Sequence, residues 1–308
     1  MNSKHRLIKK TYKYLPLYAM MIPGLIYLII NNYIPMSGII IAFKRYNYQM
    51  GMWKSPFIGL DNFKFLFSTK DSWIIIRNTL LYNLGFIAIS LIIGMFLALI
   101  IDEIRSKNAK RIYQTVLLLP YMISIVIVSY IVYAFLSTDT GFVNNYIMKL
   151  LGKGKVSWYS EAKAWPFILT MVNQWKWMGY NCVIYYSSII GIDPAYYEAA
   201  TIDGANRWQR ISRITIPMVK ATIIIMVLMS IGNIFKSDFG LFYQVPMNSS
   251  SLMDVTNTID TYVYRGLKSA NSLGMSSAAG VYQSVVGFIT VLIANFIVRK
   301  MDKDSALF

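Results

Sequence analysis

Hydrophobic positions along the chain gather into six long runs, at approximately 15–43, 74–101, 116–135, 165–190, 219–243 and 273–298, separated by stretches that carry charge, Gly and Pro. A helix needs about 20 apolar residues to cross a hydrocarbon core about 30 Å thick, so each run predicts a transmembrane helix, the first interrupted by Asn31, Asn32 and Pro35. No stretch between runs exceeds roughly thirty residues, too short for an independent domain of about 50. Residues 1–308 therefore read as a single all-α membrane domain. An even number of spans places both termini on one side, and the Lys and Arg residues choose that side, because short cytoplasmic loops keep their positive charge. With both termini cytoplasmic, the inner segments hold Lys4, Arg6, Lys9, Lys10, Lys13, Arg105, Lys107, Lys110, Arg111, Arg207, Arg210, Arg213, Lys220, Arg299, Lys300 and Lys303. The outer loops hold fewer over a longer stretch.

Between the fourth and fifth runs, at 193–217, the polar punctuation can be read residue by residue. Asp193 is a good N-cap and Pro194 suits a first helical position, where no N–H is needed. That helix should stop at Gly204, which tolerates the left-handed backbone that reverses a chain. Asn206 then caps a second helix, Gln209 completes a capping box, and Pro217 breaks the register before the next span. Two short helices meeting at Gly204 make a compact knob, with Ala199, Ala200 and Ala205 small enough for close approach by another protein. Arg207, Arg210 and Arg213 recur every three residues and face acidic partner groups or lipid phosphates. The plainer reading is an amphipathic connection between two spans. On the outer side, Asp61 is expected to N-cap a short interfacial helix ahead of aromatic residues to Phe67, 137–163 looks irregular, and Asp254 to Tyr264 has the pattern of a lid or gate.

Composition agrees with a chain solvated by lipid: 56% of residues are hydrophobic and 14% charged. The net charge of +16 is split among short loops and forms no continuous stripe, which fits anionic lipid headgroups and excludes a nucleic-acid partner. The first run follows a basic start but is too long for a signal peptide and lacks a cleavage site, so it is expected to stay attached. The lone Cys182 allows no intrachain disulfide. No Gly-x-x-x-x-Gly-Lys-Ser/Thr loop is present to cradle nucleotide phosphates. His5 is the one histidine and no His/Cys cluster accompanies it, so no metal site is expected.

The series Glu198-Ala199-Ala200, Asp203-Gly204-Ala205, Ile214 and Pro217 resembles the signature of the permease subunits of binding-protein-dependent ABC importers, with Ile211 where many members have Phe. The likeness extends through Tyr33-Ile34-Pro35, Ala42-Phe43-Lys44, Gly59-Leu60-Asp61-Asn62-Phe63 and Asp260-Thr261-Tyr262-Val263-Tyr264, segments similar to maltose-transporter-like permeases for oligosaccharides and polysaccharide fragments. It implies a type I importer permease fold in a bacterial cytoplasmic membrane. Glu198, Ala199, Ala200, Asp203, Gly204, Ala205, Arg207 and Pro217 would then couple the chain to a separate ATPase. The implied partners are a second, related permease, two ATP-binding subunits holding ATP and Mg²⁺, an extracellular solute-binding protein and an oligosaccharide. No cofactor is implied for this chain, and the chain itself would not be an enzyme.

A translocation path should show as polar residues inside spans, since these are costly against lipid. Asn173, Lys176, Trp177 and Tyr180 share one face of the fourth span by helical spacing, and Ser230, Asn233 and Ser237 share a face of the fifth, with Lys236 beside them. Such a face offers hydrogen bonds and aromatic planes, as a sugar requires. Asn173 and Ser230 also match positions lining the sugar site of maltose-type permeases, counted from the coupling motif. The competing reading for the Ser and Asn residues is helix–helix hydrogen bonding, and for Trp177 an interfacial anchor. Lys176 points to an anionic substrate, such as a uronate, or to an acid on a partner permease. Arg77 is expected to snorkel at the outer end of the second span. Alternatives are a permease for another binding-protein-delivered solute, a secondary carrier, which lacks the expected repeats and mid-membrane acids, and a membrane enzyme, which lacks a convergent His, Asp or Glu set.

Overall fold

The computed structural model describes residues 3–68, 70–268 and 273–301, with side chains from residue 14 onward except 65–67, 70 and 301. The His5 side chain, Lys303 and positions 269–272 lie outside that description. The chain is helical: α1 (Ser3–Leu28), α2 (Asp61–Ser68), α3 (Lys70–Asp102), α4 (Lys107–Met122), α5 (Ile125–Leu136), α6 (Trp165–Ile189), α7 (Pro194–Ile202), α8 (Arg207–Arg210), α9 (Lys220–Gly232), α10 (Phe239–Gln244), α11 (Ile259–Lys268) and α12 (Leu273–Met301). The only extended pairing among the described residues is the isolated bridge between Lys44 and Phe57.

Three helical segments, Tyr14–Phe43, Asp71–Asp102 and Leu273–Lys300, are long and apolar enough to cross a membrane, and two further pairs qualify together although they are bent. The helix α6 is 25 residues long, about 38 Å at 1.5 Å per residue, and carries Asn173, Gln174, Lys176 and Asn181 along its length.

Along the first run, as expected for 15–43, the helix continues past Asn31, Asn32 and Pro35 through a π turn at Ile29–Tyr33 and a tighter 3₁₀ segment at Ser37–Phe43, whereas the third and fifth runs need correction. A proline ring clashes with the carbonyl four residues back, and a wider turn just ahead of it relieves that clash. The same device recurs at Ile211–Thr215, ahead of Pro217, so the second hairpin helix runs on to Met218 and bends 58° into α9 only at Val219. The third run, 116–135, is two helices, α4 and α5, meeting at 93° across extended Ile123 and Ser124. The fifth, 219–243, stops at Gly232 and restarts as α10 after a non-helical stretch.

Packing centres on α3 against α6. Cys182, Tyr185 and Ile189 of α6 bury against Met95, Ala98 and Ile101 of α3, while Trp165, Leu169 and Val172 join Phe86, Val128 and Phe242. Gly179 lets α6 lie directly on α4, since a Cβ there would collide with the Leu117 carbonyl. Ile75 of α3 packs with Phe235, Ile259 and Ala279.

The segments expected on the outer side are firmly tied down. Asp61 opens α2 as its first residue, and the adjacent Lys64 ammonium, 2.7 Å away, holds its carboxyl below the usual carboxylate range. The 137–163 stretch contains a π turn at Val143–Met148, where buried Asn144 donates to the carbonyls of Ser137, Thr138 and Val156. Residues 254–264 fold into a single turn and α11, anchored by Asn78, which donates to the Asp254 and Asn257 carbonyls at 3.0 and 2.9 Å. Arg77, expected to snorkel, instead donates to the Asp254 carbonyl at 3.0 Å.

Candidate functional site

Two features stand out, one on the hairpin between α6 and α9 and one where α3, α6 and the broken α9–α10 region converge. In the hairpin, the Asp193 carboxylate accepts from Ala195 N–H at 2.9 Å. Gly204 takes φ +75°. The Asn206 and Gln209 side chains cap each other's backbone at 2.9 and 2.7 Å, a complete capping box. Each helix thus starts with an orphan N–H satisfied by its own cap.

Tyr197 ties α7 to the second helix through a 2.9 Å hydroxyl contact with Thr215. Arg207 meets Glu103, just past α3, at 2.9 Å; both side chains are half exposed, so this pair fixes orientation more than it stabilises. Arg210 reaches the Thr201 hydroxyl at 3.4 Å. A cleft of about 310 Å³ runs beside Ala200, Asp203, Gly204, Ala205 and Arg213. At the tip, Ile202 and Trp208 are 87% and 77% exposed. The sequence does not single them out, because the same connection also carries Tyr196, Tyr197, Ile211, Ile214 and Ile216.

The second feature is a cavity of about 430 Å³, within the roughly 300–1,000 Å³ typical of small-molecule sites. Asn173, Trp177, Tyr180, Ser230 and Asn233 all line it, so the two sequence faces converge on one space. Trp177 and Tyr180 pack with Tyr121 of α4, the Tyr121 and Tyr180 rings stacked at 5.1 Å. Asn83 and Ser90 of α3, Asn181 of α6 and Lys236 complete the polar lining. Of these, the sequence faces included only Lys236, although helical spacing carried the signal: Asn181 is four residues past Trp177, and Asn83 and Ser90 are seven apart on α3. Ser90 donates to Gln174 at 2.9 Å, locking α3 to α6 beside the cavity.

Two expected path residues lie elsewhere. Lys176 does not reach the cavity: its ammonium donates to the carbonyls of Ile123, Tyr121 and Pro120 at 2.6, 3.2 and 3.4 Å. The sharp bend after α4 leaves the Tyr121 and Ile123 carbonyls without the helical N–H that Pro120 still receives from Ile123, and a cation at a helix C-terminus satisfies both them and the dipole. Ser237 is also absent from the lining, because the helix carrying Ser230 and Asn233 has already broken. Its N–H and hydroxyl both bind the Asp260 carboxylate, and its hydroxyl also meets Thr258 at 2.7 Å. Asp238 is the N-cap of α10, accepting from Leu241 N–H at 3.0 Å.

The break itself is held by amides. Asn83 donates to the carbonyls of Ile234 and Lys236 at 2.8 and 2.9 Å, and Gln283 of α12 donates to Phe235 at 2.6 Å and to Asp260 at 3.0 Å. Irregular backbone is tolerated at membrane depth only where protein or a wet cavity satisfies it, and here it is satisfied on both sides.

Comparison with known proteins agrees with this arrangement. Residues 90–303 match the family model described as binding-protein-dependent transport system inner membrane component. The chain is 35% identical to Protein LplB of Bacillus subtilis (strain 168) over 94% of this chain and 90% of that protein. It is 31% identical to the polygalacturonan/rhamnogalacturonan transport system permease protein YteP of the same organism, over 98% and 93%. Among solved structures, a chain of a bacterial alginate ABC transporter in complex with alginate pentasaccharide-bound periplasmic protein superposes with a TM-score of 0.87 at 34% identity, covering 97% of this chain and 99% of that one. The fold is that of an ABC importer permease, and the chain belongs to the family of binding-protein-dependent transport system inner membrane components.

Proposed function

We propose that this chain is the permease subunit of an ATP-driven oligosaccharide importer in a bacterial cytoplasmic membrane, with six spans and both termini inside. The observation that carries the sugar reading is the cavity. The Trp177 and Tyr180 ring planes and the Asn173, Asn181 and Asn233 amides line one space of about 430 Å³, an apolar body with a few convergent polar groups. The relatives named for polygalacturonan, rhamnogalacturonan and alginate support the same class of cargo.

In this reading the hairpin 193–217 seats in a groove of one of two ATP-binding subunits, which supply ATP, Mg²⁺ and the chemistry of hydrolysis. Ile202 and Trp208 are its apolar anchors. Closure of the ATPase pair draws this hairpin toward its counterpart on a second permease. The motion passes along α9 and the second hairpin helix, whose polar ties to Tyr197 and Glu103 make the knob and the spans move together. The cavity then opens outward to receive sugar from an extracellular binding protein.

The test is reconstitution of the whole importer in vesicles with its binding protein, measuring ATP hydrolysis and uptake with a panel of neutral and acidic oligosaccharides. Stimulation by at least one glycan is expected; a panel without effect, alongside stimulation by a non-sugar solute, sinks the sugar reading. Gly204→Val, which forces a β-branched residue into φ +75°, should insert normally and abolish stimulated uptake. Normal coupling in that variant would remove the hairpin from the mechanism.

A further inference from the structure

Lys236 is the only acidic or basic side chain, tyrosine hydroxyls aside, among the described residues that line the cavity. Its backbone is immobilised: Asn83 binds its carbonyl at 2.9 Å, and the neighbouring Phe235 carbonyl and Ser237 N–H are held by Gln283 and Asp260. Its ammonium, by contrast, makes no hydrogen bond or ion pair among the described residues. The acid two residues on and the acid that binds the neighbouring Ser237 N–H are committed elsewhere. Asp238 caps α10, and the Asp260 carboxylate already accepts from Ser237 and Gln283. Lys236 is exposed on the wall of a largely apolar cavity, and with Asp238 and Asp260 engaged elsewhere its ammonium stays available to a charged ligand.

We infer that the cavity takes a glycan bearing a carboxylate, a uronic-acid oligosaccharide, and that Lys236 is its specificity-determining residue. The inference rests on the sugar-importer reading above and narrows it. Pyranose faces lie against Trp177 and Tyr180, their hydroxyls meet the Asn173 and Asn233 amides, and the carboxylate pairs with the Lys236 ammonium. A lysine suits a transported ligand: it is a single point charge on a flexible stem, without the bidentate grip that arginine gives a carboxylate. The role assigned to charge in this cavity thus moves from Lys176, which is occupied with backbone carbonyls, to Lys236.

The experiment uses the reconstituted importer with its binding protein and two probes of equal length, trigalacturonate and its carboxyl-reduced, neutral counterpart. Uptake efficiency is compared for wild type, Lys236→Met and Lys236→Arg. Because the same binding protein delivers sugar to all three, its own preference cancels when each variant is divided by wild type. The expected result is that Lys236→Met penalises the acidic probe at least tenfold more than the neutral one, about 1.4 kcal/mol of discrimination, and that Lys236→Arg restores most of the preference. Equal penalties on both probes would overturn the inference and assign Lys236 to a partner acid or to structure, leaving the sugar reading intact. Failure of both probes and of every other oligosaccharide in wild type would overturn both readings together.

Discussion

The chain interrupts its membrane-type helices twice beside the cavity, and the two interruptions dispose of their freed carbonyls differently. After α4 the backbone turns through 93°, and a single ammonium, Lys176, gathers the carbonyls of Pro120, Tyr121 and Ile123. Between α9 and α10 the carbonyls of Ile234, Phe235 and Lys236 are gathered by neutral amides, Asn83 and Gln283. A charge used on backbone is no longer available to a ligand. An amide does the same work without spending one, so the lysine at the second break has no partner among the described residues while the lysine at the first does.

Three substitutions break or sharpen that comparison. The largest effect is expected from Gly179→Ala, whose new methyl collides with the Leu117 carbonyl and must push α6 away from α4, carrying Lys176 off its carbonyls. A loss of about 3 kcal/mol is expected, read as a lower thermal-inactivation midpoint of the purified complex. A variant as stable as wild type would mean that the first break needs no fixed ammonium. Next is Lys176→Met, which keeps the aliphatic bulk and removes the donor shared by the Tyr121 and Ile123 carbonyls, at a cost of about 2 kcal/mol. Uptake of acidic and neutral glycans should fall in equal proportion; a loss confined to the acidic glycan would return Lys176 to the substrate path and reverse the comparison. The smallest is Asn83→Leu, which removes two amide hydrogen bonds across the second break and should cost about 1 kcal/mol, since such bonds within membranes are individually weak. The same inactivation assay reads it, and a loss larger than that of Lys176→Met would show the amide clamp to be the stronger.

The hairpin and the cavity were not equally legible in the chain. In the hairpin, Asp193 binds a group two residues away and the Asn206–Gln209 box closes over three. Gly204 needs only its own dihedral angle. Contacts that local are written in the order of residues, so caps, stop and knob could be read directly. The helical spacing that grouped Asn173 with Trp177 and Tyr180 was equally local, and these residues do share a wall of the cavity. Spacing placed Lys176 on the same face, but its partners lie 53 to 56 residues away, and only the bend in α4 brings them within reach. Ser237 was misplaced for the related reason that a helical wheel assumes an unbroken helix, and this one ends at Gly232.

The sequence by itself determined that the chain is helical and lipid-solvated, where its hairpin turns, and which polar residues are too expensive to leave facing lipid, because hydrophobic run length, capping and burial cost all act over a few residues. Only the tertiary structure decided which of Lys176 and Lys236 has no partner among the described residues, because that depends on where carbonyls released by distant helix breaks find their donors.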